Sequence, residues 1–361
     1  MSGFGRIKRA AGHFLLAVAG LSGLVACLAG FEFWIFLRTP GDGGREVREV
    51  EIPSGTGTAG IAKILEDRGV ISDARMFRLL CLYSRYRGGG ALQAGDYAFP
   101  PFSPPEQVLD QIVHGRVITC RITFPEGSTV RDVARLLEQQ RLAREEDILK
   151  LAGDGDFSRS IGLDAPQLEG YLYPDTYLFK KKQGGPAILK AMVQQFRNHL
   201  PAGWEARARE LGLTLHQAVI LASIVEKEAV VDSERPVIAA VFFNRLRGNM
   251  PLQSDPTAVY DLPGFSGPVT PAHLKRQSPY NTYQNRGLPV GPICNPGSKS
   301  LRAALNPEKV RYLYFVSNND GTHYFSETLA DHNQAVSRIN GKRKAQQAQE
   351  AAPESPARPE P

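Results

Sequence analysis

Residues 14–31 read FLLAVAGLSGLVACLAGF, about 18 residues without a charge, close to the ~20 apolar residues with which a helix crosses hydrocarbon. No water-soluble surface accepts such a run on all its sides, so it dictates how the rest of the chain is placed. Arg6, Lys8 and Arg9 precede it, and Phe33, Trp34 and Phe36 follow it in EFWIFLR, where amphipathic aromatics favour the membrane interface. The pattern predicts a cytoplasmic basic segment over 1–13 and an uncleaved transmembrane helix over 14–36. By the positive-inside bias the N-terminus stays in the cytoplasm and the chain beyond about residue 38 lies outside it. A cleaved signal peptide is the rival, but no A-x-A-like site follows the apolar run.

Composition narrows the function. The net charge of +6 is a mild basic balance that calls for no nucleic-acid partner. Cys27, Cys81, Cys120 and Cys294 are scattered without a close pair, and the histidines form no H-E-x-x-H pair. Neither a metal site nor a cofactor is expected, and no particular disulfide is predicted.

A Gly-rich linker over 37–47 leads into a repeat. Ile52-Pro53-Ser54-Gly55 precedes Ile61-Ala62-Lys63-Ile64-Leu65-Glu66, and 72 residues on Phe124-Pro125-Glu126-Gly127 precedes Val133-Ala134-Arg135-Leu136-Leu137-Glu138. Both copies read as strand, Pro-x-Gly turn and amphipathic helix. The segment 48–118, with its further helices and the extended LQAGDYAFP, resembles the LysM fold, a small module that binds N-acetylglucosamine-containing glycans; a plain α+β spacer fits the pattern as well. The whole is α+β: one transmembrane helix, this module, then a mixed α+β domain over 119–338.

In that domain Thr214 and Gln217 form a capping-box pair opening LHQAVILASIVEKEAV. Pro236 falls in the first turn of the next helix and Gly248 ends it. The Pro- and Gly-rich stretch from Asn249 to about Lys299 is long enough to suggest a functional loop. YLYFVSNNDGTHYF reads as a hairpin turning at Asp320-Gly321, and a closing helix carries His332. Residues 339–361, without aromatics, are expected to be disordered.

The helix read in LHQAVILASIVEKEAV is apolar on nearly every side from Ala218 to Val225, so it belongs in a core. It nevertheless carries Glu226-Lys227-Glu228. A carboxyl emerging from such a helix is partly desolvated, which raises its pKa and suits it to general acid catalysis. Periodicity does not separate Glu226 from Glu228, and an ordinary exposed glutamate at a helix end is the plain alternative.

Several strings in order carry a resemblance: LEGYLYPDTY, ASIVEKE, SERPVIAAVFFNRL, LQSDPT, SPYNTY, GLPVGPICNPG and YLYFV. Over about residues 48–338 the chain resembles the YceG-like family of endolytic murein transglycosylases. The resemblance implies a single-pass bacterial inner-membrane protein with an extracytoplasmic catalytic domain. It implies cleavage of the bond between N-acetylmuramic acid and N-acetylglucosamine in nascent peptidoglycan strands, leaving 1,6-anhydro ends and terminating strand elongation. It further implies membrane-bound wall synthases (penicillin-binding proteins) as partners, and it assigns the catalytic role to the first glutamate, Glu226. Gln284-Asn285 and Cys294 depart from the family pattern.

Gln253, Asp255, Tyr280, Asn281 and Tyr283, on the loops after the helix pair, are the candidate substrate-binding residues, since amides and aromatic faces suit sugars. Tyr171, Tyr173 and Tyr177 are candidates for either stacking on sugar or packing. Two other functions compete. A lysozyme-like hydrolase would use Asp255 or Asp175 as a second carboxylate, and a non-catalytic adaptor would bind glycan and tether wall synthases.

Overall fold

The computed structural model describes residues 3–41 and 45–350. Its helices are α1 (Gly3–Arg38), α2 (Thr58–Asp67), α3 (Ala74–Tyr86), α4 (Pro105–Val113), α5 (Val130–Gln139), α6 (Glu145–Ala152), α7 (Gly155–Ser160), α8 (Gly185–His199), α9 (Trp204–Glu210), α10 (Leu215–Glu228), α11 (Arg235–Arg247), α12 (Asp255–Val259), α13 (Pro271–Leu274), α14 (Ser298–Leu305) and α15 (Leu329–Glu350). Its strands are β1 (Arg48–Ile52), β2 (Gly95–Phe99), β3 (Thr119–Thr123), β4 (Thr176–Lys180), β5 (Tyr314–Ser317) and β6 (His323–Ser326), paired as β1-β2, β3-β4 and β5-β6. The α+β class follows.

Within α1, Val18–Arg38 is long and apolar enough to cross a membrane, about 30 Å at the helical rise. Leu21, Leu24, Val25, Leu28 and Phe31 point outward, unpaired with protein. The 72-residue repeat takes physical form: α2 and α5 begin and end at that offset, each after a strand.

The chain divides into two compact units. The first runs to Cys120 and takes back Leu178–Lys182; the second holds Arg121–Tyr177 and the chain from Gln183. In the first unit β1 and β2 pair antiparallel, Val50 opposite Tyr97 and Ile52 opposite Gly95. Alternation sends Val50, Ile52, Tyr97 and Phe99 into a core closed by Leu65, Phe77 and Ile112. Tyr97, fully buried, donates its hydroxyl to the Gln93 carbonyl at 2.7 Å.

In the second unit α10 is the axis, packed against α11 and α14. Every residue from Ala218 to Val225 is buried. The Thr214–Gln217 capping box forms, with bonds of 2.8 and 3.1 Å. The β5–β6 hairpin turns where expected, Gly321 taking a φ of +89° that a side chain would oppose. Tyr171 and Tyr173 are buried against Phe196 and His199, so they pack. α15 continues to Glu350, so residues 339–350 are helical where a tail was expected; 351–361 lie outside the described residues.

Leu221, with no exposed surface, sits in the middle of this axis. Leu221→Ala is expected to lower stability by about 2–5 kcal/mol, against under ~1 kcal/mol for the half-exposed Leu215→Ala, both read from chemical denaturation.

Candidate active site

Successive residues of a helix step by about 100°, so the last turn of α10 sends its three charged side chains to three surroundings. Glu226 turns to Arg235. Its Oε1 accepts from the guanidinium at 3.1 Å and its Oε2 from the Gly297 N–H at 2.9 Å, with the two side chains 5% and 8% exposed. Arg235 also donates to Ser300 at 2.5 Å and to Asp232 at 3.1 Å, and Lys299 pairs with the far oxygen of Asp232. The Pro125–Ser128 turn lays Glu126 against the same point. A Cβ on Gly297 would lie 1.9 Å from Glu126 Oε1. Burial, and then the charge of Glu226, push the Glu126 carboxyl up.

Glu228 turns the other way. Ser254 donates to its Oε1 at 2.5 Å, and among the described residues Oε2 takes no hydrogen bond. Burial pushes this carboxyl up to about 7, with the charge of Asp255 adding to the effect and the Ser254 bond opposing it. Of the two carboxyls that end this helix, Glu228 is the one that burial pushes up to about 7. Glu226, to which the resemblance gave the catalytic role, is a paired group whose two oxygens both accept bonds.

The loops after α11 interlock. Ser254 N donates to Thr282 Oγ1 at 3.0 Å and Gln253 N to the Thr282 carbonyl at 3.2 Å. Gln253 holds a φ of +53° and its side chain meets Arg245 at 3.3 Å. Tyr283 donates its hydroxyl to Asp255 at 2.6 Å. Asn281 is fully buried; its amide donates to the Arg276 and Leu274 carbonyls at 2.7 and 3.1 Å, and its Oδ1 accepts from Tyr283 N at 3.0 Å. Four of the five candidate loop residues, Gln253, Asp255, Asn281 and Tyr283, thus stand in one bonded network, and Asn281 is consumed in shaping the loop, its amide donors taken by carbonyls.

A cleft of about 620 Å³ opens beside these loops. Asp255, Tyr260, Tyr280 and Phe265 line it, with Arg131, Arg135 and Lys227 among its cations. Tyr260 and Tyr280 stand 4.7 Å apart, and Gln167 donates to the Tyr280 hydroxyl at 3.3 Å. Of the α10 terminus, Lys227 lines the cleft and Glu226 and Glu228 do not; of the loop candidates, Asp255 and Tyr280 line it and Gln253, Asn281 and Tyr283 do not.

One wall residue went unnoticed in the sequence. Glu169, 4% exposed, accepts from Tyr260 at 2.7 Å, Val130 N at 3.1 Å and Asn295 at 3.2 Å. Burial pushes it up to about 7 against those donors. Its signal was an acid set between Leu168 and the aromatic run Gly170-Tyr171-Leu172-Tyr173. Among the described residues no group of three or more His, Cys, Asp or Glu is arranged to hold a metal ion.

Comparison with known proteins places this geometry in context. The YceG-like family matches residues 50–338. A Bacillus subtilis (strain 168) protein named endolytic murein transglycosylase is 32% identical over 302 residues, covering 79% of this chain and 83% of that protein. A Streptococcus pneumoniae (strain D39) protein of the same name is 27% identical over 326 residues, covering 81% of this chain and 58% of that protein. A crystal structure of a YceG-like protein from Listeria monocytogenes is similar with a TM-score of 0.55 at 36% identity, over 81% of this chain and 99% of that one.

The two raised carboxyls give stability a sign. Each holds its proton in the folded state up to about 7, whereas in the unfolded chain it releases it near 4.3. The folded state then binds more protons between these values, so stability is greatest at the acid end and falls as pH rises from about 4.3 to 7. Urea unfolding at pH 5 and pH 7.5 is expected to show a loss on the order of 1–3 kcal/mol per group, and Glu169→Gln should flatten that slope.

Proposed function

Because the chain belongs to the YceG-like family, we propose that it is a lytic transglycosylase acting on peptidoglycan, with Glu228 as its proton donor. The observation that carries the assignment is the Glu228 carboxyl itself, desolvated, held by Ser254 through one oxygen and unbonded at the other. A group with these properties keeps a proton near neutral pH and has an oxygen from which to deliver it. It protonates the glycosidic oxygen between N-acetylmuramic acid and N-acetylglucosamine, and positive charge grows on the anomeric carbon. The sugar's own C6 hydroxyl attacks that carbon, its proton returns to Glu228, and a 1,6-anhydro end is left. An internal nucleophile has a high effective molarity, so no second enzyme carboxylate is required.

The remaining residues take supporting roles. Tyr260, Tyr280 and Phe265 offer sugar-stacking faces in the cleft and Asp255 a hydrogen-bond acceptor. Glu226 positions: it ties α10 to Arg235 and to the Gly297 turn. In the first unit the order β1-α2-α3-β2, with antiparallel strands, supports a LysM-like module that binds glycan. Val18–Arg38 supports a single inner-membrane anchor, and Arg6, Lys8 and Arg9 ahead of it favour the N-terminus inside. The enzyme would then meet nascent strands close to the membrane-bound synthases that make them and end their elongation.

Asp255 favours a second reading, hydrolysis of the same bond, because its carboxyl lines the cleft and acts on Glu228. Asp175 does not serve that reading, since its oxygens accept from Gln195 and from the Thr176 N–H.

The decisive assay compares wild type, Glu226→Gln and Glu228→Gln on uncrosslinked glycan strands, reading chain ends by mass spectrometry. Glu228→Gln is expected to lose at least ~100-fold in turnover with its melting temperature kept, and wild-type turnover to fall as pH rises through about 7. Glu226→Gln is expected to lose stability first, by about 1–3 kcal/mol, because Arg235 exchanges a buried charge-assisted bond for a neutral one while keeping Asp232. An active Glu228→Gln beside a folded, inactive Glu226→Gln would return the role to Glu226. Reducing ends without anhydro sugar would select hydrolysis.

A further inference from the structure

The first unit carries an apolar stripe that its own core leaves unused. α3 buries Phe77 and Leu80, yet Leu79, Leu82, Tyr83 and Tyr86 are 52, 66, 54 and 89% exposed. Offsets of three, four and seven from Leu79 set them along one face of the helix. Four arginines flank that face: Arg75, Arg78, Arg85 and Arg87, all exposed. No acidic residue occurs between Ala74 and Arg87. An apolar stripe bordered by cations alone has the composition of a helix that lies in a membrane interface.

The position of α3 supplies the partner. The last turns of α1 belong to the same unit, with Phe36 in its core and Phe33 and Leu37 packed on it. Arg38 lies 4.4 Å over the Trp34 ring, an interfacial pairing at the end of the apolar span. Just beyond, the chain is pressed against the loop that leads into α3: a Cβ on Gly41 would stand 2.3 Å from the Gly69 carbonyl and 2.6 Å from Ile71 N. α3 opens at Ala74, capped by Asp73 through Arg75 N at 2.6 Å and Met76 N at 3.0 Å. α3 thus begins three residues after the loop against which the chain leaving α1 is pressed.

We propose that α3 docks onto the bilayer that α1 spans, its apolar stripe at the acyl boundary and its arginines on anionic headgroups. This rests on reading α1 as a transmembrane anchor. A surface helix alone binds weakly and reversibly, but tethering by α1 makes its association intramolecular. Docking fixes the tilt of the first unit against the membrane.

The test uses the full chain in lipid nanodiscs. Leu82→Cys, with Cys27, Cys81 and Cys120 changed to Ser, carries an environment-sensitive fluorophore, and the lipids carry a quencher near the headgroup. In discs containing phosphatidylglycerol the emission is expected to fall roughly twofold or more, less so as salt is raised. Arg78→Glu with Arg85→Glu is expected to abolish the quenching. An anchored protein whose label stays unquenched in anionic discs overturns the docking. So does a label shielded only after membrane-protein extract is added, which would assign the face to a protein partner. Release of the wild-type chain from vesicles by alkaline carbonate would overturn the anchor reading, and the docking with it.

Discussion

The burial of α10 is the constraint on which the site depends. With Ala218 to Val225 enclosed by α11, α12 and α14, the two glutamates that end the helix are held out of water, while Lys227 between them is exposed. Their surroundings are set by angle. One carboxylate meets a buried guanidinium and a backbone N–H; the other, about 200° further round, meets a single hydroxyl. Two side chains of the same type, two positions apart, acquire different chemistry because the dielectric around both is low and their partners differ.

An enclosed helix end needs walls, and here they are mostly irregular chain. The Asn249–Lys299 region contains two short helices and little other regular structure, so its backbone groups must find partners elsewhere. Asn281, Thr282 and Arg245 supply them on one side of the cleft. On the other, Asn295 joins Leu172 N, the Ser128 carbonyl and Glu169. Buried polar networks of this kind are costly when incomplete and rigid when satisfied, and rigidity keeps the surroundings of a buried carboxyl fixed. Glu169 and Asn281 therefore belong to the site although neither offers a free donor to a ligand.

The first unit meets a different demand. It is small, and its two-stranded sheet gains stability from three helices and from the end of α1. The same packing that builds its core leaves α3 with a second apolar face, and the end of α1 lies close to where that helix begins.

Much of this was legible in the chain alone: the membrane-length run, the strand–helix unit used twice at an offset of 72 residues, the Thr214–Gln217 cap, the hairpin at Gly321 and the dry helix ending in glutamates. Each depends on periodicity or on neighbours within a few residues, and such information is written locally. The choice between Glu226 and Glu228, the inward turn of Asn281 and the presence of Glu169 in the cleft were not legible. The partners that decide the glutamates lie far along the chain, Ser254 26 residues from Glu228, Gly297 71 from Glu226 and Asn295 126 from Glu169, while Asn281 turns inward to carbonyls five and seven residues away in a loop of no regular period. Glu226 and Glu228 stand on the same apolar helix with the same spacing, so no local pattern ranks them. Only the folded loops decide which carboxylate meets an arginine and which is left dry, because proton affinity follows from charges and dipoles within a few ångströms in space.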